Sequence, residues 1–408
     1  MNQVNSKNFD VIIAGAGPAG ATAAMQLGNS KLKVAVIEKE VFPRDKICGD
    51  ALSADVLNQL KLIGGGILNE FKNFEHKQKI KNLSLIGSKE NELKIELLDP
   101  EIEGATAKRI DFDTFLFNQL KKYSNIEVFE NHKIIEVTTH ENYIEITTSQ
   151  NRFKGAFVLA ADGANSVVKS KLVGKNFNPN NFSAGLRQYF ENVEFPTTKE
   201  TIELHFLKGT LPGYLWVFPL PNNQANVGIG MLSAQVRRKK INLKNHFSRL
   251  IKEHPQLKNR FKNAKPLESV KGFNLPLGNK KVKCSGNRFL LLGDAAHLID
   301  PFSGEGIANA IRSGRVAADH VLQAFYKNRF DTDFNKAYDK EIYRRMWSEL
   351  RVNSFLLRLM NYPRVFNFLL KKASNNDSIR MVLISSLQNV NMDKQLRKPS
   401  FYWKLLFG

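Results

Sequence analysis

The sequence is poor in cysteine and has no long apolar run. Its two cysteines, Cys48 and Cys284, are too few for a disulfide framework and fit a reducing compartment. No Cys-x-x-Cys pair or cluster of His and Cys suggests a metal site. No segment approaches the roughly 18 uninterrupted apolar residues of a spanning helix, and the polar N-terminus does not resemble a signal peptide. We therefore expect a cytoplasmic protein without metal, whose contact with a membrane is at most peripheral.

Repeats and low-complexity segments are also absent, and the composition is that of a folded globular protein. The 408 residues suffice for about two to three domains of typical size. The net charge of +21 favours an anionic partner, such as nucleic acid, anionic lipid or an acidic carrier protein. A lysine-rich solvated surface would explain that charge equally well. Because no compact basic tract marks a nucleic-acid footprint, we expect no nucleic-acid partner.

The most informative stretch lies near the N-terminus. The apolar residues 11–13 predict a buried strand, which Gly15, Gly17 and Gly20 follow in the spacing G-x-G-x-x-G. The first glycine allows a tight turn, the second lets a pyrophosphate approach the backbone, and the third lets helix and strand pack closely. A second apolar run ends at Glu38, about where a ribose-binding acid follows such a turn. This stretch predicts a dinucleotide site and favours FAD or NAD over NADP.

Two later stretches also place turn residues after an apolar run. Residues 157–160 are followed by ADGANS, and residues 288–292 by GDAAHLIDPFSGEGI. Asp294, after the second run, can accept a hydrogen bond from a ribityl or ribose hydroxyl, or can instead cap a helix. Gly304 and Gly306 precede a predicted helix, so their N–H groups and the helix dipole can stabilise negative charge. Close helix packing is the alternative explanation for these glycines.

Together, GAGPAG, ADGANS and GDAAHLIDPFSGEGI resemble the FAD-dependent family with the p-hydroxybenzoate hydroxylase fold. They stand in that family's order, and the resemblance covers the chain to about residue 330. Two more stretches, RDKICGDALS and PGYLWVFP, resemble motifs of the geranylgeranyl reductase family, which uses reduced FAD to saturate prenyl double bonds. The second of these motifs lines that family's lipid cavity. His297, Asp50 and Pro212 depart from the usual reductase pattern, and His297 is found instead in many aromatic hydroxylases.

The resemblance implies an α/β (α+β) fold: a Rossmann-like FAD-binding domain of p-hydroxybenzoate hydroxylase type, an inserted antiparallel β-sheet domain for substrate, and a C-terminal helical region. The expected boundaries are 1–78, 104–178 and 277–330 for the FAD-binding domain, 79–103 and 179–276 for the substrate domain, and 331–408 for the helical region. Within them, hydrophobic periodicity predicts a hairpin at residues 80–98 and one amphipathic helix over about residues 243–261.

The resemblance and the glycine-rich turns together imply a set of site residues. The expected cofactor-binding residues are Gly15, Gly17, Ala19, Gly20, Glu38, Lys39, Arg44, Cys48, Gly49, Ala51, Arg109, Lys133, Asp162, Gly163, Asp294, Gly304, Gly306 and Ile307. Of these, Cys48, Gly49 and Ala51 are implied to lie beside the isoalloxazine ring. The expected substrate-binding residues are Tyr214, Trp216, Phe218 and Pro219.

Several of these roles have an alternative. Cys48 is either a packing residue or a functional thiol, and a nearby Arg44 or Lys46 would lower its pKa. His297 is expected to be structural rather than catalytic, because one histidine beside a strand end is easily satisfied. The aromatic residues of YLWVFP alternate as on one face of a strand, which core packing would explain as well as a pocket wall.

The implied function is an FAD-dependent oxidoreductase that reduces carbon–carbon double bonds of a prenyl lipid, of geranylgeranyl or menaquinone type, by hydride transfer from reduced flavin. The alternative is a flavin-dependent monooxygenase that hydroxylates an aromatic or carrier-bound substrate. His297 favours the hydroxylase, whereas CGD and YLWVFP favour the reductase. No second G-x-G-x-x-G is present, so NAD(P)H or another reductant is expected to be a transient electron donor.

The sequence ends in residues 397–408, RKPSFYWKLLFG, which combine basic and aromatic side chains. This combination suits an anionic membrane interface, although a docked terminal helix explains it at least as well. With the net charge, the tail predicts that the enzyme collects lipid from the cytoplasmic face of a membrane.

Overall fold

The computed structural model describes residues 6–87, 92–97, 104–174, 177–196 and 198–388. In chain order, the strands of these ranges are β1 Ser6–Ala14, β2 Val34–Ile37, β3 Ala51–Leu52, β4 Gln78–Ile80, β5 Asn82–Gly87, β6 Glu92–Glu96, β7 Gly104–Thr106, β8 Ile126–Phe129, β9 Ile134–Thr139, β10 Ile144–Thr148, β11 Arg152–Ala160, β12 Phe182–Glu191, β13 Thr201–Phe206, β14 Gly213–Leu220, β15 Gln224–Leu232, β16 Lys265–Pro266, β17 Lys271–Pro276, β18 Ser285–Gly286 and β19 Phe289–Leu291.

The helices of the same ranges are α1 Pro18–Leu27, α2 Ala54–Ile63, α3 Ile67–Lys72, α4 Arg109–Gln119, α5 Val167–Leu172, α6 Ser233–Arg238, α7 Leu243–Glu253, α8 Pro255–Lys258, α9 Ile307–Tyr326, α10 Thr332–Leu359, α11 Pro363–Ala373 and α12 Asp377–Gln388. None of them is long and apolar enough to cross a membrane.

The first sheet contains the dinucleotide motif. Its strands run in the order β18–β19–β11–β1–β2–β8, and β10 and β9 extend it beyond β11 by antiparallel pairing. β1 lies parallel to both β2 and β11, as expected for a strand that a crossover helix joins to its neighbour. Val11 and Ile12 are completely buried, because β1 is a central strand with α1 and α9 among the helices that cover the sheet. The predicted buried strand is therefore confirmed.

The second sheet separates two apolar layers. Its order is β16–β12–β15–β14–β13–β5–β6, and the predicted hairpin is confirmed as the antiparallel pair β5 and β6. Side chains of β14 alternate between the faces. Leu215 and Val217 pack in a cluster with Phe247 of α7, whereas Trp216 and Phe218 belong to the opposite cluster, which also contains side chains of α10, α11 and α12.

A small third sheet places the CGD motif between the two large ones. β3 begins at Ala51, immediately after the motif, and pairs antiparallel with β7; β7 in turn pairs with β4. The β7 side chain of Thr106 donates a hydrogen bond to the Pro219 carbonyl of β14. The motif is consequently held where the first and second sheets meet.

One predicted helix was wrong. The single helix expected over residues 243–261 is two, because α7 ends at Glu253 and α8 begins at Pro255. Proline has no N–H to continue the hydrogen-bond ladder and forces the preceding residue out of the helical region. His254 accordingly has φ −67° and ψ 129°, and its side chain accepts from the Gln256 N–H.

The C-terminal helices support the loop that precedes α9. Asn353 of α10 donates to the buried Asp300 carboxylate at 2.5 Å and to the Ser386 carbonyl of α12 at 3.2 Å. Asp300 also accepts from the backbone N–H groups of Phe302 and Ser303. The predicted terminal residues 397–408 lie outside the described ranges, and the domain boundaries drawn from the sequence stay predictions.

Gly314 of α9 provides a test of the packing between α9 and α1. A Cβ at this position would lie 2.4 Å from the Ala19 carbonyl oxygen and 3.1 Å from the Thr22 Cβ. In an exposed helix, Gly→Ala stabilises by roughly 0.5–1 kcal/mol. We expect Gly314→Ala instead to lower the free energy of unfolding by about 1–3 kcal/mol through overpacking, measured by chemical denaturation.

The matched control is Gln323→Ala, on the exposed side of the same helix. It should change the stability by less than about 0.5 kcal/mol. A Gly314→Ala protein as stable as the wild type would contradict the close packing of the two helices.

Candidate functional site

One cavity, of about 770 Å³, runs from the glycine-rich turn of β1 to the C-terminal helices. Its charged lining residues include Glu38, Arg44, Lys46, Arg109, Asp162 and Asp294. The lining from β5, β13 and the C-terminal helices is apolar, and β17 contributes Phe273 and Leu275 together with the polar Asn274. The cavity therefore has a polar arm and an apolar chamber, and the CGD motif lies between them.

The turn after β1 leaves its backbone open to the polar arm. Gly15 has φ +97°, and a Cβ on Gly20 would lie 1.9 Å from the Gly15 carbonyl oxygen. At Gly17, by contrast, the nearest atom to an added Cβ is the Arg44 Nη2, at 3.6 Å. Gly20 thus serves close helix packing, as the spacing predicted. The backbone at Gly17 is open to the polar arm, and the approach of a pyrophosphate there stays a prediction.

Glu38 at the end of β2 closes this turn. Its carboxylate accepts hydrogen bonds from the Ala16 N–H at 3.0 Å and the Glu40 N–H at 3.1 Å. The Arg44 Nε lies 3.9 Å away. The acid is therefore fixed in orientation at the mouth of the turn, with a cation beside it, as a site for a ribose and a pyrophosphate requires.

A buried ion cluster fixes the arginines of the arm. Arg109 of α4 pairs with Asp113 through Nε at 2.7 Å and Nη2 at 2.8 Å, and Arg44 reaches the same carboxylate at 2.7 Å. Burial alone would raise the pKa of Asp113, but the charges of Arg109 and Arg44 lower it overall. The ion cluster fixes both guanidinium groups beside the cavity, where they can meet an anionic ligand.

Cys48 lines the cavity where the arm meets the chamber. Burial raises the pKa of its thiol, although the charges of Arg109 and Lys46 act in the opposite direction. The lowering expected from neighbouring cations is therefore outweighed. The thiol therefore keeps its proton at neutral pH and has little thiolate character.

The CGD motif is held through its own Asp50 by Tyr189 and Asn226, and the sequence singled out none of these three residues for the site. The buried Asp50 carboxylate accepts from the Tyr189 hydroxyl at 2.7 Å and from the Asn226 Nδ2 at 2.8 Å. Asn226 also accepts from the Trp216 indole at 2.8 Å. Asp50 was noted in the sequence only as a departure from the usual reductase pattern, in which glycine is frequent at this position. The strand patterns of β12 and β15 did not indicate Tyr189 or Asn226.

The loop before α9 contacts β14 beside the cavity. Gly304 has φ +73°, and the Tyr214 hydroxyl donates to the Ser303 carbonyl. The Glu305 carboxylate accepts from the N–H groups of Ile307 and Ala308, at 2.7 and 3.1 Å. The N–H groups expected to stabilise negative charge are those of Gly304 and Gly306, whereas the Ile307 and Ala308 N–H groups are bonded to Glu305, whose burial raises its pKa.

Asp294 and Asp162 line the same arm with different partners. Asp294 forms an ion pair with Lys46 at 2.9 Å and has no capping bond of its own. Asp162 instead accepts from Ser166 and from the Val167 and Val168 N–H groups, so it caps α5. The carboxylate of Asp294 is thus better placed than that of Asp162 to accept a hydroxyl of a cofactor.

Nearly all the predicted site residues come together around this cavity. Gly20 and Pro219 do not line it: the first packs against the Gly15 carbonyl and the second is held by Thr106. His297, the hydroxylase-like residue, also lies outside the lining. Its ring contacts Phe182 edge-on at 5.2 Å, and burial lowers its pKa to about 4. A structural role for this histidine agrees with these contacts.

The apolar chamber was only partly foreseen. Tyr214, Trp216 and Phe218 form one wall, with successive ring centroids 6.2 Å apart. The remaining walls include Phe302, which lies in the GDAAHLIDPFSGEGI stretch but was not singled out, and residues of segments without a recognisable motif: Leu83, Ile202, Leu204, Phe273, Leu275, Leu357, Met360 and Leu387. Only folding brings these residues together, so no local sequence signal could have identified them.

Comparison with known proteins agrees with this geometry. A family model described as an FAD binding domain matches residues 8–352. A digeranylgeranylglycerophospholipid reductase of Thermoplasma acidophilum is 29% identical over 361 residues, covering 83% of this chain and 84% of the relative. A menaquinone reductase of Mycobacterium tuberculosis is 28% identical over 319 residues, covering 76% of each chain.

Solved structures share the fold. A geranylgeranyl bacteriochlorophyll reductase-like protein from Thermoplasma acidophilum superposes with a TM-score of 0.76 at 23% identity, covering 98% of this chain and 96% of that chain. A flavin-dependent brominase superposes with a TM-score of 0.78 at 20% identity, covering 98% of each chain. These matches confirm the expected fold class.

The glycines of the first turn make separable predictions. Gly17→Ala should fold normally, since its Cβ meets only Arg44, but should weaken FAD binding at least tenfold, or about 1.4 kcal/mol. If the pyrophosphate approaches the backbone at Gly17, as predicted, the added methyl group would stand in its way. Retained flavin, measured by absorbance after desalting, and melting temperature would be followed together.

Gly20→Ala is the counterpart, because its Cβ would overlap the Gly15 carbonyl. It should lower the melting temperature as well as the flavin content. Full flavin retention by Gly17→Ala would contradict the placement of the pyrophosphate at this turn.

Proposed function

This chain belongs to the FAD binding domain family, with FAD as its cofactor, and we propose that it reduces carbon–carbon double bonds of a prenyl lipid. The observation that carries the proposal is a continuous cavity of about 770 Å³ that joins a polar arm at the glycine-rich turn to an apolar chamber. Relatives that match most of the chain are named as reductases of a digeranylgeranyl lipid and of menaquinone. Both kinds of substrate carry prenyl chains, which suit a chamber of this lining.

The bound flavin would supply a hydride to one alkene carbon. The chain would supply the rest of the site. An isolated alkene is not polarised, so protonation of its second carbon would leave positive charge on the carbon that accepts the hydride, and the aromatic faces of Tyr214, Trp216 and Phe218 would stabilise that charge. The protonated Cys48 Sγ, between the arm and the chamber, is the proposed proton donor to the second carbon. Arg44, Lys46 and Arg109 would hold the anionic parts of the cofactor.

The physiological reductant reaches the same cavity in this proposal, as NAD(P)H or another donor that visits transiently. Hydroxylation was the alternative, and the residue that favoured it was His297. Since His297 lies outside the cavity and packs against Phe182, it gives no support to an oxygen-using reaction at this site. Reduction is therefore the proposal that the observations support better.

Anaerobic reoxidation tests the chemistry. We expect the photoreduced protein to be reoxidised without oxygen when geranylgeranyl lipid or menaquinone is added, and the product to be heavier by two hydrogens. Flavin absorbance and product mass are the measurements. Trp216→Leu should slow reoxidation at least tenfold, because about 1.4 kcal/mol of charge stabilisation is lost.

Trp347→Leu is the matched control, since Trp347 of α10 does not line the cavity. It should react within about twofold of the wild type. A flavin that stays reduced with both lipids, and then yields a hydroxylated aromatic product when oxygen enters, would establish the monooxygenase instead.

We further propose that the protein works as a peripheral protein on an anionic membrane surface. The support is α11, whose Phe366 and Leu369 are buried, while Phe368 is 59% and Val365 40% exposed on the opposite side. Between Glu349 and Asp377 the chain has no acidic residue and has five basic ones: Arg351, Arg358, Arg364, Lys371 and Lys372. Exposed apolar side chains among cations fit anionic lipid head groups.

The position of α11 suits delivery of lipid to the chamber. Its buried Phe366 ring lies 5.0 Å from Phe206 and 6.4 Å from Phe302, which lines the cavity. Leu357 and Met360, just before this helix, also line the cavity. A membrane against the outer face of α11 would thus be separated from the chamber by one helix.

Vesicle sedimentation tests this surface. The double variant Val365→Ser with Phe368→Ser should bind phosphatidylglycerol vesicles at least tenfold more weakly than the wild type, a difference of about 1.4 kcal/mol. The reason is that it lacks two exposed apolar side chains that would be buried in the bilayer interface. Tyr326→Ser, at a 90% exposed aromatic residue of α9, is the control and should bind normally.

Truncation after Gln388 distinguishes α11 from the tail at residues 397–408 as the membrane contact. Normal binding by the truncated chain supports α11 as the contact. If truncation abolishes binding and the double variant does not, the tail at residues 397–408 is the membrane contact. Concentration-dependent dimerisation that the double variant removes would make a second copy the partner of this face.

A further inference from the structure

Asp50 stands out among the buried charged residues because its backbone is unusual for its type. Its φ is +66°, in the left-handed region, and its side chain is completely buried. Aspartate tolerates this conformation better than most residues, but glycine would adopt it without cost. The carboxylate therefore has to be explained by what it contacts.

Its contacts lie on three separate elements. The Oδ2 atom accepts from the Tyr189 hydroxyl of β12 and from the Asn226 Nδ2 of β15. The Oδ1 atom accepts from the Arg109 N–H at the start of α4, at 3.3 Å. Asp50 is thus the point at which the CGD motif is joined to the second sheet and to α4.

Asn226 extends this joint to the cavity wall. Its two Nδ2 hydrogens reach the Asp50 carboxylate and the Cys48 carbonyl, each at 2.8 Å. Since both donors face oxygen atoms, the amide oxygen must point the other way, and there it accepts from the Trp216 Nε1 at 2.8 Å. The orientation of Asn226 thereby determines a hydrogen bond of the indole that lines the chamber.

We propose that Asp50 is a positioning residue, whose ionised carboxylate orients Asn226 and through it fixes the Trp216 indole and the Cys48 carbonyl at the floor of the cavity. The consequence for catalysis rests on the proposed lipid reduction, whereas the positioning itself does not. Glycine at position 50 would leave the Asn226 amide without its charged acceptor.

The ionisation of Asp50 makes its positioning of Asn226 and Trp216 dependent on pH. Burial raises the pKa of Asp50 to about 6, although Tyr189, Asn226, Arg187 and Arg109 act in the opposite direction. The other titratable groups nearby are the Cys48 thiol and Lys108, whose Nζ lies 4.9 Å from the Tyr189 ring centroid. Arg187 stacks on that ring at 3.8 Å and pairs with Asp45 at 2.8 Å.

The direction of the pH effect follows from these signs. Above about pH 6 the carboxylate is ionised and accepts strongly from Asn226. Below that pH it binds a proton and becomes a weaker acceptor, so Asn226 and the indole are held less firmly. Because the folded pKa lies above the ordinary value, ionisation costs folding free energy, which the hydrogen bonds to the carboxylate partly offset.

The test is the indole N–H resonance of Trp216 in the ¹⁵N-tryptophan-labelled holoenzyme. The chain has three tryptophans, and the signal that Trp216→Phe removes identifies the one of interest. We expect this resonance to titrate with a midpoint within about one unit of pH 6 in the wild type. Asp50→Asn and Asp50→Gly both suit the positive φ, and both should move the resonance at pH 8 and abolish its titration.

Asp55→Asn is the matched control, since Asp55 is also buried but bonds Arg312 and Gln59 away from the cavity lining. It should leave both the resonance and its titration unchanged. An indole resonance with the same shift in the wild type, Asp50→Asn and Asp50→Gly would overturn the proposal.

Turnover adds a second readout. Asp50→Gly should raise the KM for geranylgeranyl lipid about fivefold or more with little change in kcat, and Asp50→Asn should recover part of the loss, as expected for a group that positions the binding wall. A wild-type enzyme that turns over no prenyl lipid would refute the proposed function, while the resonance would still decide the role of Asp50.

Discussion

The architecture depends on the absence of side-chain volume along both sides of α1. Gly20 lets this helix contact the Gly15 carbonyl, and Gly314 lets α9 approach the Ala19 carbonyl. α1 is consequently pressed between the strand turn and the long helix. Because α9 begins at the loop with Gly304 and Gly306, this packing fixes the distance between the two glycine-rich turns that face the polar arm. The positions of the two turns are therefore set by helix packing, and the polar contacts of the arm depend on those positions.

Charge and apolar surface are then divided along one cavity. The polar arm has its arginines fixed by Asp113 and its acid fixed by backbone N–H groups. The chamber is lined by side chains that the period-2 pattern of β14 and the C-terminal helices supply. Where the two regions meet, the small sheet and the Asp50 carboxylate hold Cys48 in place. Desolvation there favours the protonated thiol, which is the form that reduction of an alkene can use.

Much of this was predictable where the signal is local. The β1 strand, the glycine-rich turn, the hairpin at β5 and β6, and the alternation of β14 follow from periodicity and turn residues, and the structure agrees with them. The helix over residues 243–261 was misjudged because the hydrophobic periodicity continues past Pro255, whereas the helical hydrogen bonding is interrupted before it. Asp50, Tyr189 and Asn226 could not be grouped, since a hydrogen-bonded contact between distant strands leaves no spacing in the sequence. The bonds of Glu305 to the first amides of α9 escaped notice for a different reason: they are local, but the rotamer of the Glu305 side chain decides whether they form.

The bond from Asn353 to Asp300 has a consequence for how such proteins change over evolutionary time. The helices that enclose the apolar chamber also support the loop with Gly304 and Gly306, through a buried amide that touches Asp300 and Ser386. A new chamber cannot be acquired by exchanging the C-terminal helices alone, because the foreign helices would arrive without the partner of that loop. Substrate range in this architecture should therefore drift by point substitution within the chamber rather than by recombination of whole segments.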